Sequence, residues 1–389
     1  MPPMIALIAA YAFAMCSTPL IILVGGLIGQ ELAPDPRLAT LPISIIVVAT
    51  ALSTAPAAML MQKIGRKKGF LVGFALGGAA TLLCLAGLYL QSFILFVTGC
   101  FMTGTNMAFV HQFRFAAMEL VPMEKKSQAA SWVLIGGIFA AVAGPEAGAF
   151  GRDLFAIPFT GSFVILMAFL LIAALIIATS YQSEKPVSQE EKQTALVSDI
   201  AWLNPTLLLA FATAAISYSV MSLVMTAAPL SMSHHGHDLQ TTKWVLQSHI
   251  LAMFVPSLFT GKLLALFGYV KFIVVGVFIY IAMALLGLAG YHAMHYWGAL
   301  LLLGVGWNLL FISGTTLLGR ISDGPERFRI QAVNEFLVFG TQALASLGAG
   351  WLLYQLGWRP LLLATLPLAL IPLVFLILHQ RAQAQTKAA

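Results

Sequence analysis

Few residues of this chain could do chemistry, and most of those that could lie inside long apolar runs. His111 and Arg114 stand three apart, hence on one face of a helix. An arginine keeps its charge and offers a planar fork to a carboxylate or phosphate. Its field disfavours a neighbouring imidazolium, so His111 is expected to stay neutral and able to exchange protons. Glu335 lies in a later apolar run, where protonation would remove the cost of burying its charge, as a proton carrier requires. Arg114 and Glu335 could form an ion pair that substrate or proton breaks. The structural alternatives are Arg114 snorkelling to the headgroups and Glu335 pairing with Arg329.

Glu146 follows Gly144-Pro145 near the far end of its run, where it could gate, admit protons or simply pair with Arg152 or Lys243. The stretch Ser233-His234-His235-Gly236-His237-Asp238 offers ligand types suited to zinc, nickel or copper, with His249 following at greater depth. Adjacent histidines cannot easily aim at one ion, however, and they could equally be solvated gate sensors titrating near neutral pH. Among uncharged groups, Asn106, Asn308, Trp307 and Tyr218 could orient a ligand by hydrogen bonds and stacking, or merely hold helices together.

The elements that must position these residues follow from composition. The 389 residues are 60% hydrophobic and 9% charged, with a mean hydropathy of +0.93. A soluble domain carries about 25% charged residues, so a soluble enzyme, a disordered chain and a nucleic-acid binder are excluded. Cys16, Cys84 and Cys100 are too scattered for a metal motif or a disulfide scaffold. The first apolar run, from Met4, lacks a basic leader and a small-residue cleavage site and reads as a retained span.

A helix needs about 20 apolar residues to cross the hydrocarbon. Cutting at polar and Gly/Pro clusters predicts twelve: 4–29, 41–62, 69–90, 93–118, 128–150, 156–181, 204–232, 241–264, 270–291, 298–318, 329–352 and 360–379. The expected fold class is therefore an all-α membrane protein of two six-helix bundles. With the N-terminus cytoplasmic, fifteen basic residues fall inside, while only Arg37, Arg152, Lys243 and Arg359 fall outside. Both termini are thus expected in the cytoplasm, and the net charge of +6 reflects topology rather than a basic partner. The polar stretch within 182–203 reads as a linker between an N-terminal bundle, 1–181, and a C-terminal bundle, 204–389.

The two halves repeat. Gly65 and Gly73 return as Gly268 and Gly276, Gln128-Ala129 as Gln331-Ala332, and Gly104-Thr105-Asn106 as Gly306-Trp307-Asn308. Such parallel repeats suit a secondary transporter with its site between the halves. On these residues the chain resembles the major facilitator superfamily. Ile64-Gly65-Arg66-Lys67-Lys68 is similar to the second part of that family's cytoplasmic loop signature. Gly136-Gly137, Gly144-Pro145 and Gly148 in span five are similar to the signature of its antiporters. The loop departs from the family at Ala58 and Gln62, where Gly and Asp are usual, so Glu119 is left as the acid that could meet Arg66. Ala140 likewise replaces a usual Gly.

The resemblance implies alternating access by two rocking bundles, with Gly144, Pro145 and Gly148 as a hinge and Gly65, Arg66, Lys67 and Glu119 as a cytoplasmic gate. It also implies a proton-coupled exporter of small organic compounds, monomeric in a bacterial inner membrane. That carrier would need no cofactor beyond the proton gradient and no partner beyond lipid, protons and substrate. A carrier of an anionic metabolite, metal ion or metal chelate is the alternative within transport. A sensor or assembly factor on a transporter fold is the alternative outside it. An intramembrane enzyme lacks its motif, since neither His-Glu-x-x-His nor Gly-x-Ser-x-Gly occurs.

Overall fold

The computed structural model describes residues 1–121, 126–181, 201–321 and 327–388. The stretch 182–200 of the expected linker lies outside the described residues, as does the side chain of Arg329. Among the described residues the chain is a succession of twelve rods. These are α1 (Pro3–Met15 and Ser17–Leu32), α2 (Leu41–Ile64), α3 (Arg66–Tyr89), α4 (Phe93–Val110 and Phe113–Glu119), α5 (Lys126–Phe150) and α6 (Thr160–Ser180), then α7 (Pro205–His234), α8 (Leu239–Phe254 and Ser257–Phe267), α9 (Tyr269–Leu288), α10 (Ala293–Ile321), α11 (Arg327–Leu356) and α12 (Trp358–Ala388). Ten helices among the described residues are individually long and apolar enough to cross a membrane. Their outward faces carry large apolar side chains such as Leu82, Ile94, Leu175, Phe278 and Leu344. A surface of that kind belongs in lipid.

Three rods are interrupted, two of them by proline. Pro19 has no N–H and its ring excludes the carbonyl four residues back, so α1 breaks at Cys16. Pro256 acts likewise on α8, whose segments of 16 and 11 residues meet at Val255-Pro256. The break in α4 has no proline. There the Gln112 N–H donates to the Phe109 carbonyl at 3.0 Å, a three-residue step in place of the helical four. By contrast, α5 runs on through Pro145.

By contacts the chain divides into two units, Met1–Val187 with Pro229–Ile250, and Ser188–Ala228 with Leu251–Ala389. In the first, glycines on α4 let backbones approach: a Cβ on Gly104 would fall against the Ile46 carbonyl of α2. The Thr50 hydroxyl of α2 donates to the Gly104 carbonyl at 3.0 Å across the same contact. In the second unit the Tyr280 hydroxyl of α9 donates to the Ser217 carbonyl at 2.8 Å, and Thr226 of α7 meets Ser346 of α11 at 2.9 Å. The repeat is visible in the backbone. Gly65 and Gly268, 203 residues apart in sequence, join α2 to α3 and α8 to α9 with φ of 85° and 79° and ψ of 160° and 157°. Only glycine adopts that conformation without strain.

Candidate functional site

At the loop between α2 and α3, Gly65 turns the chain and delivers Arg66 to the end of α4. The Arg66 Nε donates to both oxygens of Glu119 at 3.2 Å, and its second terminal nitrogen reaches Glu119 Oε1 at 2.7 Å. The remaining nitrogen donates to Gln112 Oε1 at 3.2 Å, at the break in α4. A planar fork held at three points fixes the loop in a way that a lysine could not. Lys67 beside it is half-buried.

His111 and Arg114 flank that same break and both are half-buried. The Arg114 guanidinium lies 4.8 Å from the Phe115 ring centroid, and Phe113 packs against Tyr11 of α1 at 6.1 Å. Irregular backbone inside a span is tolerated where protein buries it or where it lines a cavity. Glu335 is half-buried on α11 in the second unit.

At the other end of the first unit, α5 and α8 are clasped. Lys243 Nζ donates to Glu146 Oε2 at 2.9 Å, and Gln247 Nε2 donates to Glu146 Oε1 at 3.1 Å. Of the two partners expected for Glu146, Lys243 is therefore the one it meets. Close by, a cavity of about 430 Å³ is lined by Gln30, Glu31, Arg152, Ser233, His237 and Thr242 among others.

The histidines of this region do not converge on a metal. His234 Nε2 lies 3.2 Å from Gln30 Nε2, while His235 Nδ1 meets the Ser231 carbonyl of its own helix at 2.7 Å. Among the described residues no group of three His, Cys, Asp or Glu could hold an ion. The structure thus gives His234 and His235 separate partners and does not gather them with His237 about one ion. Asp238 instead starts α8, accepting the Thr241 N–H at 2.7 Å, and that hydrogen bonding holds its carboxyl below the usual range. His249 is fully buried on α8.

Gly144 and Gly148 lie on the face of α5 that meets α1. A Cβ on Gly136 would fall 2.9 Å from the Ile8 carbonyl oxygen, and one on Gly144 would fall 2.7 Å from that of Cys16. Gly148 is looser, at 3.3 Å from Leu23 and Val24. Ala140 sits in the same stripe with its methyl buried.

The repeat-related asparagines have different surroundings. Asn308 donates to the Met253 carbonyl at 2.8 Å and to Ser257 Oγ at 2.6 Å, and accepts from Thr260 Oγ1 at 2.7 Å. It pins the two segments of α8 across the Pro256 break, which leaves its amide occupied by structure. Asn106 is also fully buried, but its amide has no hydrogen-bond partner among the described residues. It lies against the face of α3 formed by Gly73 and Gly77.

An aromatic cluster forms in the second unit. Trp307 and Phe311 of α10 stack at 5.0 Å and 15°, and Tyr218 of α7 meets both edge-on at 5.2 and 5.0 Å. Phe339 of α11 and Phe254 of α8 complete it, each 6.3 Å from a member. Stacked and edge-to-face arrangements of this kind are the ones aromatic pairs prefer. Trp307 Nε1 of this cluster, and Asn334 Oδ1 and Gln342 Oε1 on α11, are buried polar atoms with no partner among the described residues. Phe311, Phe339, Asn334 and Gln342 escape a search for charge. Their one signal in the sequence is two amides eight apart within a single span.

The family model of the Major Facilitator Superfamily matches residues 5–222 and 210–389. The chain belongs to the Major Facilitator Superfamily. This member is 37% identical over 375 residues to the riboflavin transporter RfnT of Brucella anthropi, covering 95% of this chain and 94% of that one. It is 27% identical to YdeG, an uncharacterized MFS-type transporter of Bacillus subtilis, over 90% and 86% of the two chains. A bacterial homologue of the human lysosomal transporter Spinster, in an inward-facing and occupied conformation, shares the fold with a TM-score of 0.69. That match has 15% identity and covers 97% of this chain and 96% of the other. The superfamily member described here is accordingly a multi-pass membrane transporter and not an enzyme.

Proposed function

We propose that this transporter carries riboflavin or a closely related flavin across the bacterial inner membrane, by alternating access and coupled to protons. The observation that carries the reading is the 37% identity to a riboflavin transporter along nearly the whole of both chains. The aromatic cluster around Trp307 supports it, since a tricyclic ring offers a large flat face for stacking. Glu335 is the residue we assign to proton coupling, with His111 beside Arg114 as a second exchanging group.

The antiporter-like glycines of α5 argue for export only through resemblance. They close the contact between α5 and α1, a role that serves either direction of travel. Direction is therefore read from the assay. Purified protein in liposomes should move riboflavin in a saturable way, and an imposed pH gradient should drive accumulation on one side. Flavin movement no faster than in protein-free vesicles, with the gradient in either sense, would overturn the reading.

A further inference from the structure

The buried atoms without a partner among the described residues, Trp307 Nε1, Asn334 Oδ1 and Gln342 Oε1, have an order along the helices. Val338 of α11 packs in one core with Ala214 and Ala215 of α7, flanked by Tyr218 and Phe311. One turn on either side of Val338, on the same helical face, stand Asn334 and Gln342. Further along, Thr226 of α7 meets Ser346 of α11, so these two helices run parallel and Gln342 lies between the two contacts. Helix α10 runs the opposite way: Gly314 lies against Ala210 and Ala214, while Phe311 and Trp307 lie on Tyr218. Trp307 is thus one turn beyond Phe311 in the same direction that Gln342 is one turn beyond Val338. The indole N–H, a donor, and the Gln342 oxygen, an acceptor, share a level of the bundle. Asn334 offers its acceptor eight residues away, about 12 Å along the axis.

We infer that Trp307 and Gln342 read the imide edge of a flavin, the Trp307 N–H donating to the ring carbonyl and the Gln342 oxygen accepting from the adjacent ring N–H. Asn334 accepts from a hydroxyl of the polyol chain. This rests on the flavin reading above. A buried polar atom left unpaired costs free energy, and a ligand that supplies its partner recovers that cost. Trp307 and Asn334 are 5% and 3% exposed, which takes them out of bulk solvent. Tyr218, Phe311 and Phe339 are each only part-buried and group their rings with Trp307. The pattern asked of the ligand is a donor beside an acceptor at one end, a flat aromatic body, and a second donor about 12 Å away.

The test uses quenching of flavin fluorescence by the purified full-length protein in detergent, with riboflavin, 3-methylriboflavin and lumichrome as probes. Wild type should bind 3-methylriboflavin about tenfold more weakly than riboflavin, for want of one hydrogen bond to a buried acceptor. Gln342→Leu should bind those two alike, whereas Gln342→Glu, which keeps the acceptor, should retain the preference. Asn334→Leu should lose the preference for riboflavin over lumichrome, which lacks the polyol chain. A methyl penalty that persists in Gln342→Leu overturns this assignment and leaves the flavin reading standing. Wild-type protein that quenches neither riboflavin nor lumichrome overturns both.

Discussion

Lys243 and Glu146, 97 residues apart in sequence, form an ion pair of 2.9 Å that ties the start of α8 to the far end of α5. Gln247 holds the second carboxylate oxygen, so Glu146 is gripped from one side by two residues a turn apart. The Lys243 side chain is 14% exposed and that of Glu146 49%, which makes this a half-solvated pair at the rim rather than a buried one. Such pairs contribute up to about 1 kcal/mol.

Lys243→Ala and Glu146→Ala should each loosen this end of the first unit by a similar amount, and the double variant should be no worse than either single one. The readout is labelling by a membrane-impermeant maleimide of a cysteine placed at buried Ser231, in a background lacking Cys16, Cys84 and Cys100. A rise of about fivefold matches about 1 kcal/mol. Labelling that is unchanged in both singles removes the clasp from the closure of this end.

The two asparagines should respond in opposite ways. Asn308→Leu strands the Met253 carbonyl, Ser257 and Thr260 around a broken helix, and should cost about 2–4 kcal/mol, seen as a Tm lowered by several degrees in detergent. Asn106→Leu removes a buried amide whose bonds are unmade among the described residues, and should leave Tm unchanged or higher. Equal losses at the two positions would refute the distinction.

The glycines of α5 should rank by the space around them. Gly144→Ala places a methyl 2.7 Å from the Cys16 carbonyl oxygen and should sharply reduce folded yield and transport. Gly148→Ala, with 3.3 Å to flexible side chains, should be nearly silent. Transport rates corrected for expression would show the order, and a reversed order would sink the packing account.

Glu335→Gln keeps the shape of the side chain and removes its titration. We expect pH-gradient-driven accumulation of riboflavin to vanish while exchange of labelled for unlabelled riboflavin continues. Undiminished accumulation would take Glu335 out of the coupling.

Much of this architecture is legible in the sequence because membrane insertion makes composition speak. Hydropathy marks the spans, basic residues mark one side, and spaced glycines expose the repeat that the backbone restates at Gly65 and Gly268. The missing loop aspartate points to Glu119, and the geometry of Arg66 shows the substitute acid at work. The breaks in α1 and α8 each have a proline to announce them. The break at His111 has no such residue to announce it. The aromatic cluster is the least visible part. Phe311 and Phe339 are two of 26 phenylalanines, and amides such as Gln342 carry no charge to betray them. A repeat also suggests shared roles, yet Asn106 and Asn308 face different helices and, among the described residues, only Asn308 is bonded.

The parallel stack of Trp307 on Phe311 gives the molecule an optical gauge of its own. An indole emits in the near-ultraviolet, where yellow tricyclic compounds absorb. A guest settling on that stack would dim the tryptophan as it arrives and restore it on leaving. Occupancy could then be followed in unlabelled protein, with Trp307→Phe showing how much of the signal comes from the other six tryptophans.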